Sequence, residues 1–141
     1  MNSLDRVGAL VLAAGKGTRM RSPVPKVLHT LLEEPLLGYP LSALSSAGLT
    51  KIAVVTGSGA RSVESYLNSS WPGVATIFQA EQKGTGHAVR VAQPWWNGLE
   101  TLLVLPGDAP FLTIEALEAL LKLGEDSENS ASLLSFETEN P

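Results

Sequence analysis

Three short segments carry the residues whose types and spacing could do chemistry. An apolar run, residues 7–13, leads into the glycine-rich turn Gly15-Lys16-Gly17-Thr18-Arg19, and Pro25-Lys26-Val27-Leu28 follows shortly after. Backbone N–H groups in such a turn point at phosphate oxygens. Arg19 and Lys26 supply the positive charge that a nucleoside triphosphate demands, with Lys16 a further cation in the turn. A dinucleotide fingerprint would want a third glycine where Met20 stands, and a P-loop would want Lys then Ser or Thr after its last glycine, so neither template fits. A plain tight turn accounts for Gly15 and Gly17 but not for the cations gathered there.

The second segment is Gln79-Ala80-Glu81-Gln82, continued by Gly84-Thr85-Gly86-His87-Ala88. A side-chain amide offers both an acceptor and donors, which is what a base edge asks for. A lone Gln at a strand end is more often solvated surface, so Gln79 gains weight only from its company. The third segment, Leu105-Pro106-Gly107-Asp108, ends an apolar run with a carboxylate. One Asp suffices for a Mg²⁺ that is otherwise held by substrate phosphates and water. Alone, Asp108 before Pro110 would read as a turn residue.

These segments need elements to position them. Apolar runs at residues 7–13, 51–56, 75–79, 101–106 and 131–136 are each short enough for a buried parallel strand. Leu37, Leu41 and Leu44 recur at helical spacing, with Pro40 in a first turn and Gly48 as a C-terminal cap. Further helices are expected at residues 61–68, at 85–93 before Pro94, and around Ile114, Leu117, Leu120 and Leu121 between Thr113 and Gly124. The alternation predicts an α/β fold: a Rossmann-like, doubly wound, mainly parallel sheet with helices on both faces. Ligands then sit at the carboxyl ends of the strands, where all three segments fall.

At 141 residues and 44% hydrophobic content the chain is expected to form one domain, residues 1–141. Ten basic against 14 acidic residues give a net charge of -4, which excludes the polycationic face of a nucleic-acid binder. Lys16, Arg19, Arg21 and Lys26 instead form a basic island suited to a small anion. The chain has no cysteine, so a disulfide framework and the usual zinc ribbons are excluded. No apolar run reaches the roughly 18 residues of a membrane span, and residues 1–6 are too polar to open a signal peptide. A cytoplasmic protein without membrane contact is the expectation. Residues 125–130 read as a polar loop, and residues 137–141 follow the last expected strand directly, as in a chain truncated at its C-terminus. His29 and His87 read as structural, and Trp71, Trp95 and Trp96 as partly packed without a ligand role. With an open sheet edge, the tryptophans would favour self-association.

Residues 12–20 with Pro25-Lys26-Val27-Leu28-His29 resemble the signature of the sugar-nucleotide pyrophosphorylases, in the nucleotide-diphospho-sugar transferase family. Residues 79–88 are similar to the uracil-reading stretch of that family's bifunctional N-acetylglucosamine-1-phosphate uridyltransferases, in their N-terminal uridylyltransferase domain. The resemblance covers essentially the whole chain. It implies transfer of UMP from UTP to N-acetylglucosamine 1-phosphate, a step of cell-envelope precursor synthesis, with release of pyrophosphate. It further implies that Leu12, Ala13, Ala14, Gly15, Lys26, Gln79, Gly84, Thr85, Gly107 and Asp108 bind the nucleotide, and that Asp108 binds Mg²⁺. Arg19 would hold the leaving phosphates, Lys26 would stabilise the α-phosphoryl transition state, and Gln79 would read uracil. The family usually places an aromatic residue where this chain has Pro106. Its amino-sugar pocket, a second metal ligand and a left-handed β-helix with acetyltransferase activity lie beyond the matched region, so none is assigned to this chain. Two alternatives stand beside this reading: a UTP-binding half-domain without catalysis, and another NTP transferase on the same fold, such as a molybdenum-cofactor guanylyltransferase.

Overall fold

The central strand is apolar at every position because it is covered on both faces. In the computed structural model, which describes residues 3–126, 128–135 and 137, the elements are β1 (Val7–Ala13), β2 (Thr30–Leu31), β3 (Glu34–Pro35), α1 (Gly38–Ser46), β4 (Ile52–Thr56), α2 (Ala60–Ser70), β5 (Ala75–Phe78), α3 (Thr85–Val91), α4 (Gln93–Trp96), β6 (Thr101–Pro106) and α5 (Ile114–Gly124). The main sheet has the order β5-β4-β1-β6, and all its pairings are parallel.

Alternation along the strands sorts the core into two layers. Val7, Ala9 and Val11 of β1, with Ile52 and Val54 of β4, face one side. There they meet Leu41 and Leu44 of α1, Val63 and Leu67 of α2 and Leu117 of α5. Leu10, Ala53 and Val55 face the other side, against Ala88 of α3 and Ala92, with Trp95 and Trp96 of α4 packed on them. Helices therefore cover both faces, as expected. Trp96 Nε1 donates to the Val89 carbonyl at 2.9 Å and Trp71 Nε1 to the Tyr66 hydroxyl at 3.1 Å, so these rings are tied into the fold.

Several local details differ from the sequence reading. Among the described residues, 131–135 form no strand; the run Ala131-Ser132-Leu133-Leu134-Ser135 has no β-branched residue, and Leu133 and Leu134 lie 78% and 47% exposed. Phe136 lies outside the described residues. The helix at Thr85 stops at Val91, and Pro94 sits in the first turn of α4 rather than after a helix. The β2–β3 hairpin was not anticipated. Thr113 does cap α5, its hydroxyl accepting from the Ala116 N–H at 3.2 Å. No described helix is long and apolar enough to cross a membrane.

Candidate functional site

From β1 the chain crosses to β4 and β5 on one side, then returns to β6 on the other. The carboxyl ends of β1 and β6 thus bound the topological switch point, where open parallel sheets bind ligands. A cleft of about 830 Å³ lies there.

Its first wall is the turn after β1. Leu12, Ala13, Ala14, Gly15 and Arg19 line it, joined by Gly17 and Thr18. Gly15 borders open space, with no atom within 4 Å of where a Cβ would stand. Gly17 has φ 56°, and a Cβ on it would lie 3.0 Å from the Cβ of Lys26. The missing side chain lets the Lys26 stem cross the turn closely. Gly59, with φ 75° ahead of α2, likewise leaves room for the Pro25 ring. The Lys26 ammonium lies 2.5 Å from Asp108 Oδ2, and both side chains are partly exposed, 46% and 31%.

The second wall follows β5. Gln79 is 2% exposed, not the solvated polar residue that a lone strand-end Gln usually is. Its backbone N–H donates to the Thr56 carbonyl at 2.7 Å, which prolongs the β4–β5 pairing by one bond. Its Nε2 donates to the Gly84 carbonyl at 3.4 Å and lies 2.8 Å from Nδ1 of His87. Gln82 Nε2 donates to the Gln79 carbonyl at 3.0 Å. Gly84, before α3, adopts φ 94° and ψ 177°, a region that is essentially glycine-only. Gly84 and Thr85 both line the cleft.

The third wall is the end of β6, with Pro106 and Asp108 in the lining. Gly107 stands behind them: its N–H donates to the Leu12 carbonyl at 2.9 Å, and a Cβ would sit 2.9 Å from that same oxygen. Of the residues expected to bind the nucleotide, the structure brings every one except Gly107 to the cleft surface, and Gly107 locks β6 to β1 beneath it; of the basic island, Arg19 and Lys26 line the cleft and Lys16 and Arg21 do not. Gln82, Thr18 and Met20 also line the cleft without having been singled out. The signal for Gln82 was a second amide three residues after the first. His29 is not in the lining, and its Nε2 is buried without a hydrogen-bond partner among the described residues.

Residues 9–140 match the family model of the MobA-like NTP transferase domain. The chain belongs to this family. It is 43% identical over 136 residues to the bifunctional protein GlmU of Alkaliphilus metalliredigens (strain QYMF), an alignment covering 96% of this chain and 29% of that protein. To the bifunctional protein GlmU of Desulfitobacterium hafniense (strain Y51) it is 38% identical, covering 94% of this chain and again 29% of the relative. The chain therefore spans under a third of the length of these curated relatives. A nucleotidyl transferase from Methanothermobacter thermautotroptrophicus superposes with a TM-score of 0.71 at 26% identity, over 84% of this chain and 57% of that one. The cleft of this MobA-like NTP transferase domain brings together a glycine-rich turn, a cation–carboxylate pair and a buried amide.

Proposed function

We propose that the cleft binds UTP and serves uridylyl transfer to N-acetylglucosamine 1-phosphate, forming UDP-N-acetylglucosamine and pyrophosphate. The observation that carries this reading is the convergence of the Gly15 turn, Lys26 and the buried Gln79 amide on one cleft at the switch point. The sugar phosphate is already an anion, so no general base is needed. An oxygen of that phosphate attacks the α-phosphorus of UTP as the bond to the β-phosphate oxygen breaks. Catalysis reduces to in-line positioning and charge neutralisation.

Arg19 takes the leaving pyrophosphate and Lys26 the α-phosphoryl oxygens. The Lys26–Asp108 pair is partly exposed, and such pairs contribute only about 0–1 kcal/mol. A ligand can therefore separate them at small cost, freeing Lys26 for phosphate. Asp108, a single hard oxygen donor beside the phosphate turn, fits a phosphate-bound Mg²⁺. Among the described residues no cluster of three or more His, Cys, Asp or Glu could hold a metal alone, which suits a cation completed by substrate oxygens and water. When bound, that ion neutralises charge on the phosphate oxygens.

Pyrophosphate release from UTP and N-acetylglucosamine 1-phosphate tests the reaction. Lys26→Ala is expected to lower turnover by about 100-fold with a much smaller loss of UTP binding, and Arg19→Ala to lower turnover as well. Equal release with each of the four nucleoside triphosphates would overturn the reading. A second reading is a UTP-binding unit without turnover, marked by selective UTP binding and no pyrophosphate. Self-association belongs to the proposal too: β6 is an edge strand of the described sheet, with Phe111 85% and Val104 45% exposed nearby. A monomer by light scattering at high concentration would contradict it.

A further inference from the structure

The two ends of the Gln79 amide are not equivalent. At one end Nε2 meets the Gly84 carbonyl at 3.4 Å and His87 Nδ1 at 2.8 Å. A carbonyl oxygen can only accept, so the NH₂ group is the end that faces Gly84. The same NH₂ group has only protons to offer His87. Nδ1 of His87 is therefore the acceptor, and the proton of the neutral ring sits on Nε2. The Gln79 backbone has no freedom to compensate, since its N–H is spent on Thr56 and its carbonyl on Gln82. Oε1 is the hydrogen-bonding atom of this side chain left without a partner among the described residues, on a residue that lines the cleft.

We propose that His87 is a positioning residue for base selectivity: by holding the Gln79 NH₂ group it turns Oε1 to the ligand. His87 itself is not in the cleft lining and need not touch the nucleotide. The proposal rests on the reading of Gln79 as the base reader. An amide that presents oxygen accepts from the imide N–H of uracil. The same amide turned over presents NH₂, which matches the unprotonated ring nitrogen of cytosine instead. The two orientations have the same shape and differ only in the exchange of O and N. His87, at the shorter distance, thus selects between them together with the Gly84 carbonyl, by hydrogen bonding rather than by packing.

Two measurements test this on the whole chain. The first needs no variant: ¹⁵N NMR of the histidine rings at pH 8, above the ordinary imidazole range, is expected to show His87 as the Nε2–H tautomer. A predominant Nδ1–H tautomer would overturn the proposal. The second is the UTP-to-CTP affinity ratio by calorimetry with Mg²⁺. His87→Ala is expected to lower the ratio roughly ten-fold, the usual effect of one misdirected buried hydrogen bond. His87→Glu, an acceptor at the same place, is expected to restore it, and His87→Lys, a donor only, to push it toward CTP. Equal weakening of both nucleotides with an unchanged ratio would mean a merely structural histidine and overturn the proposal. A wild-type chain without preference between UTP and CTP would overturn the assignment of Gln79 and this inference with it. The two failures are thus distinct.

Discussion

Glycines set the geometry of the cleft at single positions, each for its own reason. Gly84 has open space around it, so its φ of 94° alone requires glycine. Gly84→Ala is expected to destabilise the fold by about 1–3 kcal/mol, and Gly84→Ser by nearly the same amount, because the cost is in the backbone and not in packing. Urea denaturation of the two variants measures this; a Ser variant much worse than Ala would contradict it. Gly107 is the opposite case. A Cβ there meets the Leu12 carbonyl at 2.9 Å, a backbone atom held in the β1–β6 ladder that cannot step aside. Gly107→Ala is expected to cost about 1–3 kcal/mol by overpacking and to displace Asp108 next to it. Gly15, Lys26, Gln79 and Asp108 were legible in the sequence only as a set: alone, Gly15 and Asp108 read as turn residues and Gln79 as surface, and the cations gathered beside them single them out. What could not be read was pairing across distance. Nothing in the spacing says that Lys26 lies against Asp108, because that contact depends on how β1 and β6 come to lie side by side, or that His87 grips Gln79, because that contact depends on how the turn after β5 leads back into α3.

At the scale of elements, apolar runs and caps foretold the strands of the main sheet and the main helices to within a residue or two. Residues 7–13 and 101–106 match β1 and β6, and the Thr113 cap holds. The failures have physical causes. The β2–β3 hairpin turns through Leu32 and Glu33, with φ of 50° and 71°, where glycine or asparagine would be the recognisable signal. Leu32 is 88% exposed, so little contact offsets that strain. The double substitution Leu32→Asn and Glu33→Gly is therefore expected to stabilise the protein by about 1 kcal/mol or more, read as a higher denaturation midpoint at unchanged slope. A lower midpoint would show that the Leu32 and Glu33 side chains contribute contacts that outweigh the strain. Residues 131–135, the described part of the last run, misled for a different reason, since apolar character alone does not make a strand without β-branched residues.

Across the whole molecule, two opposed core layers hold the sheet, and the three cleft walls meet because β1 lies between β4 and β6. One polar tie joins distant parts on the α1 and α2 side. Tyr66 donates to Glu34 Oε1 at 2.7 Å and accepts from Trp71 Nε1, linking α2 to the β2–β3 hairpin. Burial, and then the hydrogen bond to Glu34, push the Tyr66 hydroxyl up from 10.0 to about 12, with the Trp71 indole opposing. Because the folded value is raised, the stabilisation from this tie is complete below pH 10.0 and is lost as pH rises through about 12. The difference in unfolding free energy between the wild-type chain and Tyr66→Phe is thus expected to stay constant up to pH 10.0 and to shrink between there and about pH 12. A difference that stays flat across that window would show that the hydroxyl is not held by the fold.

In the proposed function, this cleft reads uracil on a triphosphate. Its most direct test is calorimetric titration of UTP, CTP, ATP and GTP into the chain with Mg²⁺, repeated with UTP on Gln79→Ala and Asp108→Ala. UTP is expected to bind tightest, Gln79→Ala to remove most of the preference for UTP, and Asp108→Ala to weaken binding only when Mg²⁺ is present. Indifference among the four nucleotides, or a UTP preference that survives Gln79→Ala, would contradict it.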